Sequence, residues 1–137
     1  MTEIAHARTP AWTRWLGLAL SGLVVLFMLA DVAMKLMRLP VVLETTAQLG
    51  WDPASAVPLG IVLLVCTVLY ALPQASVLGA VLLTAYLGGS VATHARIGSP
   101  VFSHMLFGVY LGVALWGGLY LRNDRLRDLI PFTRRSR

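Results

Sequence analysis

Asp31 and Lys35 stand four residues apart near the far end of an apolar run, residues 15–35, and so share one face of any helix formed there. Charged groups inside an apolar span are expensive, which makes such a pair a hypothesis about a working site. An ammonium can donate hydrogen bonds to a carbonyl or anionic oxygen, and a carboxylate can take up or release a proton. Three more residues of that kind follow: His94 and Arg96 at the end of a later apolar stretch, and His104 just past the Gly98-Ser99-Pro100 break. Histidine is the side chain best suited to moving protons near neutral pH.

Those residues need elements to hold them. About 20 apolar residues at 1.5 Å rise cross a ~30 Å hydrocarbon core, so the run from Trp15 to Leu36 predicts a membrane helix. Further spans are predicted over residues 58–72, 77–93 and 101–121, the second and third short for a bilayer. Pro58 suits a first helical turn and Ser76 an N-cap. Pro40 to Gly50 reads as a short interfacial helix closed by glycine, with Trp51 as an anchor. The expected fold is therefore all-α, an integral membrane four-helix bundle with a short interfacial helix between the first two spans. Residues 1–14 are read as a tail, 15–121 as the bundle and 122–137 as a basic tail.

Composition agrees. Apolar residues make up 58% of the 137, charged residues 12%, and mean hydropathy is +0.77, so lipid must cover much of the surface. The net charge of +5 does not point to nucleic acid, because six of the eleven basic residues crowd into Arg122–Arg137 directly after a span. An even number of spans puts both termini on one side, with Arg8, Arg14 and those six arginines. The other side has Lys35, Arg38 and Arg96, and the positive-inside rule then predicts cytoplasmic termini in a bacterial inner membrane. Trp12, Trp15, Tyr70 and Tyr120 fall where an aromatic belt on that inner side would lie. The first span ends in Asp31, Lys35 and Arg38 rather than a small-residue cleavage site, so it reads as a retained helix and not a secretory signal.

Placed on these spans, Asp31, Lys35, His94, Arg96 and His104 all gather at the outer end, with Thr45 and Thr46 in the connection nearby. Asp31 lies about 24 Å along the helix from Trp15. The other halves of the spans are nearly bare of ionisable groups. Three readings compete. The first is structural, with Asp31 and Lys35 paired and Arg96 snorkelling. The second is a shallow pocket for a quinone ring or lipid head group, with Lys35, Arg96 and His94 donating and Asp31 or a histidine handling protons. The third is a metal or haem site, but two histidines and an aspartate without a spacing motif are a poor ligand set, and neither is expected. Cys66 excludes an intrachain disulfide and a C-x-x-C relay, and it reads as an apolar filler. No P-loop, GxGxxG, HExxH or nucleophile elbow occurs. Small-residue stripes, through Gly88 and Gly89 in the third span and as the GxxxG of Gly108 and Gly112 in the fourth, predict close helix packing, with a glycine-lined ligand groove as the alternative; the GxxxG suits contact within the bundle or between copies.

Asp31-Val-Ala-Met-Lys35-Leu36, Ala47-Gln48-Leu49-Gly50-Trp51, Gly60-Ile-Val-Leu-Leu and above all the stretch from Tyr86 to His104 resemble the DoxX-like family of small four-span bacterial membrane proteins, over about residues 15–130. The resemblance implies association with membrane redox systems: the broader family includes subunits similar to a thiosulfate:quinone oxidoreductase, and many members have no assigned activity. With one cysteine, this chain has no thiol-handling residue set of its own for sulfur chemistry. Ser99 stands where relatives often carry an acidic residue, which removes one partner for Arg96. The expected function is a quinone- or lipid-associated accessory component with an outward-facing polar pocket, more an accessory than an independent enzyme. The alternatives are a structural or assembly subunit, and a small-solute or lipid transporter. The expected partners are the lipid bilayer and other membrane or redox proteins, with a homo-oligomer open.

Overall fold

Prolines and left-handed residues cut an otherwise apolar chain into helices. The computed structural model describes residues 9–130. Its helices are α1 (Ala11–Leu36), α2 (Pro40–Gln48), α3 (Ala56–Ala71), α4 (Ser76–Arg96), α5 (Phe107–Arg122) and α6 (Asp124–Leu129). A 3-10 turn, Pro53–Ser55, leads into α3, and a π-helical turn, Val101–Met105, leads into α5. No strand occurs among the described residues, in keeping with the all-α expectation. Arg8, Arg134, Arg135 and Arg137, which carried part of the charge argument, lie outside them.

Four stretches are long and apolar enough to cross a membrane: Ala11–Leu36, Pro53–Ala71, Ser76–Arg96 and Val101–Arg122. At most 33% of the most apolar part of each is buried against the rest of the chain, which leaves most of its side chains for lipid. The second and third are longer than their hydropathy suggested, at 19 and 21 residues. The 3-10 turn adds a length of helix before α3, and α4 continues through the polar residues Thr93, His94 and Arg96.

Three helices end alike. After α1, α2 and α4 the chain turns left-handed at Arg38 (φ 52°), Gly50 (φ 79°) and Gly98 (φ 70°). The next amide reaches back to close the last turn: Leu39 to the Met34 carbonyl, Trp51 to Thr46 and Ser99 to His94, at 3.0–3.2 Å. Glycine adopts this conformation freely, whereas Arg38 does so against a steric cost. Pro73 ends α3 because the residue before a proline is pushed out of helical geometry, and Leu72 is indeed extended at ψ 123°.

In the bundle α1 packs on α3 and α5, while α4 packs on α3 and α5. The end that carries Thr9 and α6 (the terminal end) is tied tightly across this ring. A Cβ on Gly17 would come within 2.9 Å of the Gly118 carbonyl, and one on Gly79 within 2.1 Å of the Tyr70 amide nitrogen. Those glycines let α1 meet α5, and α3 meet α4, at backbone distance. Within the chain the packing glycines are thus Gly17, Gly60, Gly79, Gly108 and Gly118. Gly88, Gly89 and Gly112 are not in close contact within the chain, since a Cβ on any of them would meet nothing within 4 Å.

A polar knot fastens the same end. Tyr70 is fully buried, so it is not a belt residue. Its phenol points into the bundle, while the first turn of α4 lies against its backbone at Gly79. Its hydroxyl donates to the Leu115 carbonyl at 2.8 Å and lies 3.0 Å from Ser21 Oγ. With the phenol's proton so used, Ser21 donates to Tyr70 and accepts from Arg122 Nε at 3.0 Å. Arg122 also lies over the Tyr70 ring, 5.2 Å from its centroid, and its Nη2 donates to the Tyr70 carbonyl and Ser76 Oγ. Ser76 is no N-cap: it is the first residue of α4, and its hydroxyl faces the Tyr70 and Leu72 carbonyls at 3.0 and 2.8 Å. The terminal halves of the spans are therefore not bare, because Arg122 is drawn into them by the carbonyl end of α3.

Candidate functional site

At the opposite end, which α2 covers (the α2 end), the close approaches run differently. Gly60 lets α3 lie against Lys35 and Leu36 of α1, and Gly108 lets α5 lie against Leu87 and Val91 of α4. Each helix stays close to one neighbour, and the two pairs part. Between them lies a cavity of about 590 Å³, within the ordinary range for small-molecule sites.

Its floor is apolar: Phe27 and Met28 from α1, Leu87 from α4, Phe107 and Leu111 from α5. The polar groups stand above that floor. Asp31 and Lys35 come from successive turns of α1, as their spacing required, and the Lys35 ammonium donates to Asp31 Oδ1. Their side chains are 27% and 17% exposed, so the pair is sheltered and each charge is met by the other. From α4 come Tyr86, Ser90 and His94, spaced four residues apart on one face, with Thr93 beside them. From α2 come Thr45 and Thr46, each with its hydroxyl donated to a carbonyl one turn back.

His104 lines the cavity from the π-helical turn, where the amides of Met105 and Leu106 bond five residues back, and it stays exposed at the rim. The His94 and His104 rings lie 5.9 Å apart between centroids. His94 Nδ1 sits 3.0 Å from Ser99 Oγ, and His104 Nδ1 sits 2.7 Å from Ser103 Oγ. Serine hydroxyls thus hold one nitrogen of each ring and leave Nε2 for another partner. Among the described residues no three His, Cys, Asp or Glu side chains converge as metal ligands would.

Of the five predicted site residues, Asp31, Lys35, His94 and His104 line this cavity and Arg96 does not. Arg96 is the last residue of α4 and points along the outside of the bundle. It lines a shallow recess with Gly50, Trp51, Ala92 and Thr93, and its Nη2 donates to the Leu49 carbonyl at 3.0 Å. A cation at the carbonyl end of α2 opposes the partial negative charge there. Sequence reading missed Tyr86 and Ser90 as site residues, although stepping back one turn at a time from His94 reaches both.

Four apolar helices, most of their surface left to lipid, and a polar cavity near one end define a multi-pass helical membrane protein. A sequence model of the DoxX-like family matches residues 19–118, and the chain belongs to that family. No curated protein and no solved structure matches it.

Proposed function

We propose that the chain is an accessory component of a membrane redox system and that its cavity holds the ring of a quinone. One observation carries this reading. Among the described residues Lys35 is the only lysine or arginine that lines the cavity, and Asp31 already engages it. The site therefore offers hydroxyls and imidazoles over an apolar floor without a free cation, which suits a neutral carbonyl-bearing ring better than a phosphate. His94 and Asp31 are the groups to exchange protons with a bound quinone, while electrons come from a partner protein.

The charge pattern supports cytoplasmic termini in a bacterial inner membrane. Arg14, Arg122, Arg125 and Arg127 belong to the terminal end, and Lys35, Arg38 and Arg96 to the other. The cavity then faces the outer leaflet. The knot at the terminal end counts against a transport path through the bundle. A second reading, an assembly subunit, draws on the open surface at Gly88 and Gly112, where another helix has room to approach.

Quinone binding by the purified protein, compared with Asp31→Asn and His94→Ala, tests the proposal. Weaker binding in both variants is expected, and unchanged binding in both removes the pocket. Reporter fusions at the two termini test the orientation.

A further inference from the structure

A ligand resident in the membrane needs a way into this cavity from the side. At the α2 end Val42, Thr46 and Leu49 cover part of it, with Leu49 held by Arg96, while Met34, Val41, Thr45, Trp51 and His104 of the same lining are exposed at its rim. Toward the middle of the bundle it stops on Met28 and Leu87, both buried. Between α1 and α5 the rings of Phe27 and Phe107 meet edge to face, 5.2 Å apart. Between α1 and α3 the gap is closed by Gly60 against Lys35, and between α4 and α5 by Gly108 against Val91.

The flank between α3 and α4 is different. There α3 contributes Leu59 alone to the lining, and α4 contributes Ala85 and Gly89. Both are exposed on the lipid-facing surface, and a Cβ on Gly89 would meet no atom within 4 Å. On the α4 side the cavity wall at this point is thus formed by two of the smallest residues.

We infer that the cavity opens sideways into the lipid through a window between Leu59, Ala85 and Gly89, and that its ligand is a long-tailed quinone whose hydrocarbon chain lies in that window. The inference rests on the quinone reading and adds the tail and its route. A head group drawn from the bilayer crosses no water on this path, and the tail keeps an apolar environment at every stage. Gly89 matters because any side chain there would occupy the slot.

The test uses the chain in lipid nanodiscs and two probes, a dimethoxy-methylbenzoquinone without a tail and the same ring carrying a decyl chain. Gly89→Trp fills the window. Gly88→Trp is its control, since Gly88 is equally exposed with open space around it but does not line the cavity. The expected result is that Gly89→Trp weakens binding of the tailed ring about tenfold or more, as overpacking of a filled slot does. Binding of the tailless ring is unchanged, and Gly88→Trp behaves as wild type with both.

Undiminished binding of the tailed ring by Gly89→Trp overturns the window. So does equal loss in the two tryptophan variants, or loss of the tailless ring in Gly89→Trp. A wild-type protein that binds neither ring removes the quinone reading, and the window with it.

Discussion

The Ser21 hydroxyl and the Tyr70 phenol lie 3.0 Å apart in the buried interior, bringing α1 and α3 into one hydrogen-bonded unit with the Leu115 carbonyl and Arg122. Tyr70→Phe keeps the ring and removes the hydroxyl, leaving the Leu115 carbonyl and the Ser21 proton without that partner. Thermal or denaturant unfolding in detergent should show a loss of about 1 kcal/mol or more.

Glycine substitutions should separate sharply by position. Gly79→Ala places a Cβ 2.1 Å from the Tyr70 backbone and forces α3 and α4 apart, whereas Gly88→Ala meets nothing. The first should destabilise the fold severely, and the second should leave the unfolding midpoint unchanged or slightly raised, because alanine favours a helix by about 1 kcal/mol over glycine.

Arg38 pays a steric cost at φ 52°. Arg38→Gly keeps the closing bonds of α1 and relieves that strain, so a gain of about 1 kcal/mol in the same unfolding assay is expected. Gly50→Ala should do the reverse, since its Cβ would sit 2.7 Å from the Arg96 guanidinium as well as in a left-handed conformation.

The Asp31–Lys35 pair predicts a change of ligand preference. Asp31→Asn leaves the Lys35 ammonium unanswered beside the cavity, so binding should shift from neutral rings toward anionic amphiphiles. Adding Lys35→Gln should abolish the gain for anionic ligands. Competition between a neutral quinone and a fatty acid reads this directly.

Outside the spans, the Thr9 hydroxyl donates to Asp124 at 2.9 Å, and Arg127 adds its charge, so the Asp124 carboxyl is held below its ordinary value. A lowered folded-state value means the contribution is complete above the ordinary carboxylate range and is lost only as pH falls through the folded value. Amide exchange in α6 should therefore stay constant from neutral pH into the ordinary carboxylate range, once corrected for intrinsic rates, and rise under stronger acid. Asp124 is exposed, so the effect should be small.

Much of this was legible in the sequence because it is local. Hydropathy and length show the spans, and i, i+4 spacing shows Asp31 meeting Lys35. Pro40 and Gly50 bracket α2 by their backbone preferences alone. What escaped depends on how helices are rotated against one another. Tyr70 and Arg122 are residue types common at a membrane interface, and only contacts across helices, with Ser21 of α1 and the Leu115 carbonyl of α5, show one buried and the other turned toward it. Arg96 lies two residues beyond His94, about 200° around α4 from it, and so faces outward. The apparent packing glycines Gly88 and Gly112 point away from the chain, while single glycines such as Gly79, outside any repeat, bring the helices together.

Fastening at one end alone has a further consequence for how such a protein can change over time. The polar knot that ties the helices and the polar side chains that line the cavity, Asp31, Ser90, His94 and His104, are separate sets at opposite ends of the same four spans. Substitutions among those polar lining residues can alter what the cavity accepts while leaving the knot intact. The knot of Ser21, Tyr70, Ser76 and Arg122 has no such freedom, because each member satisfies a neighbour that would otherwise be stranded away from water.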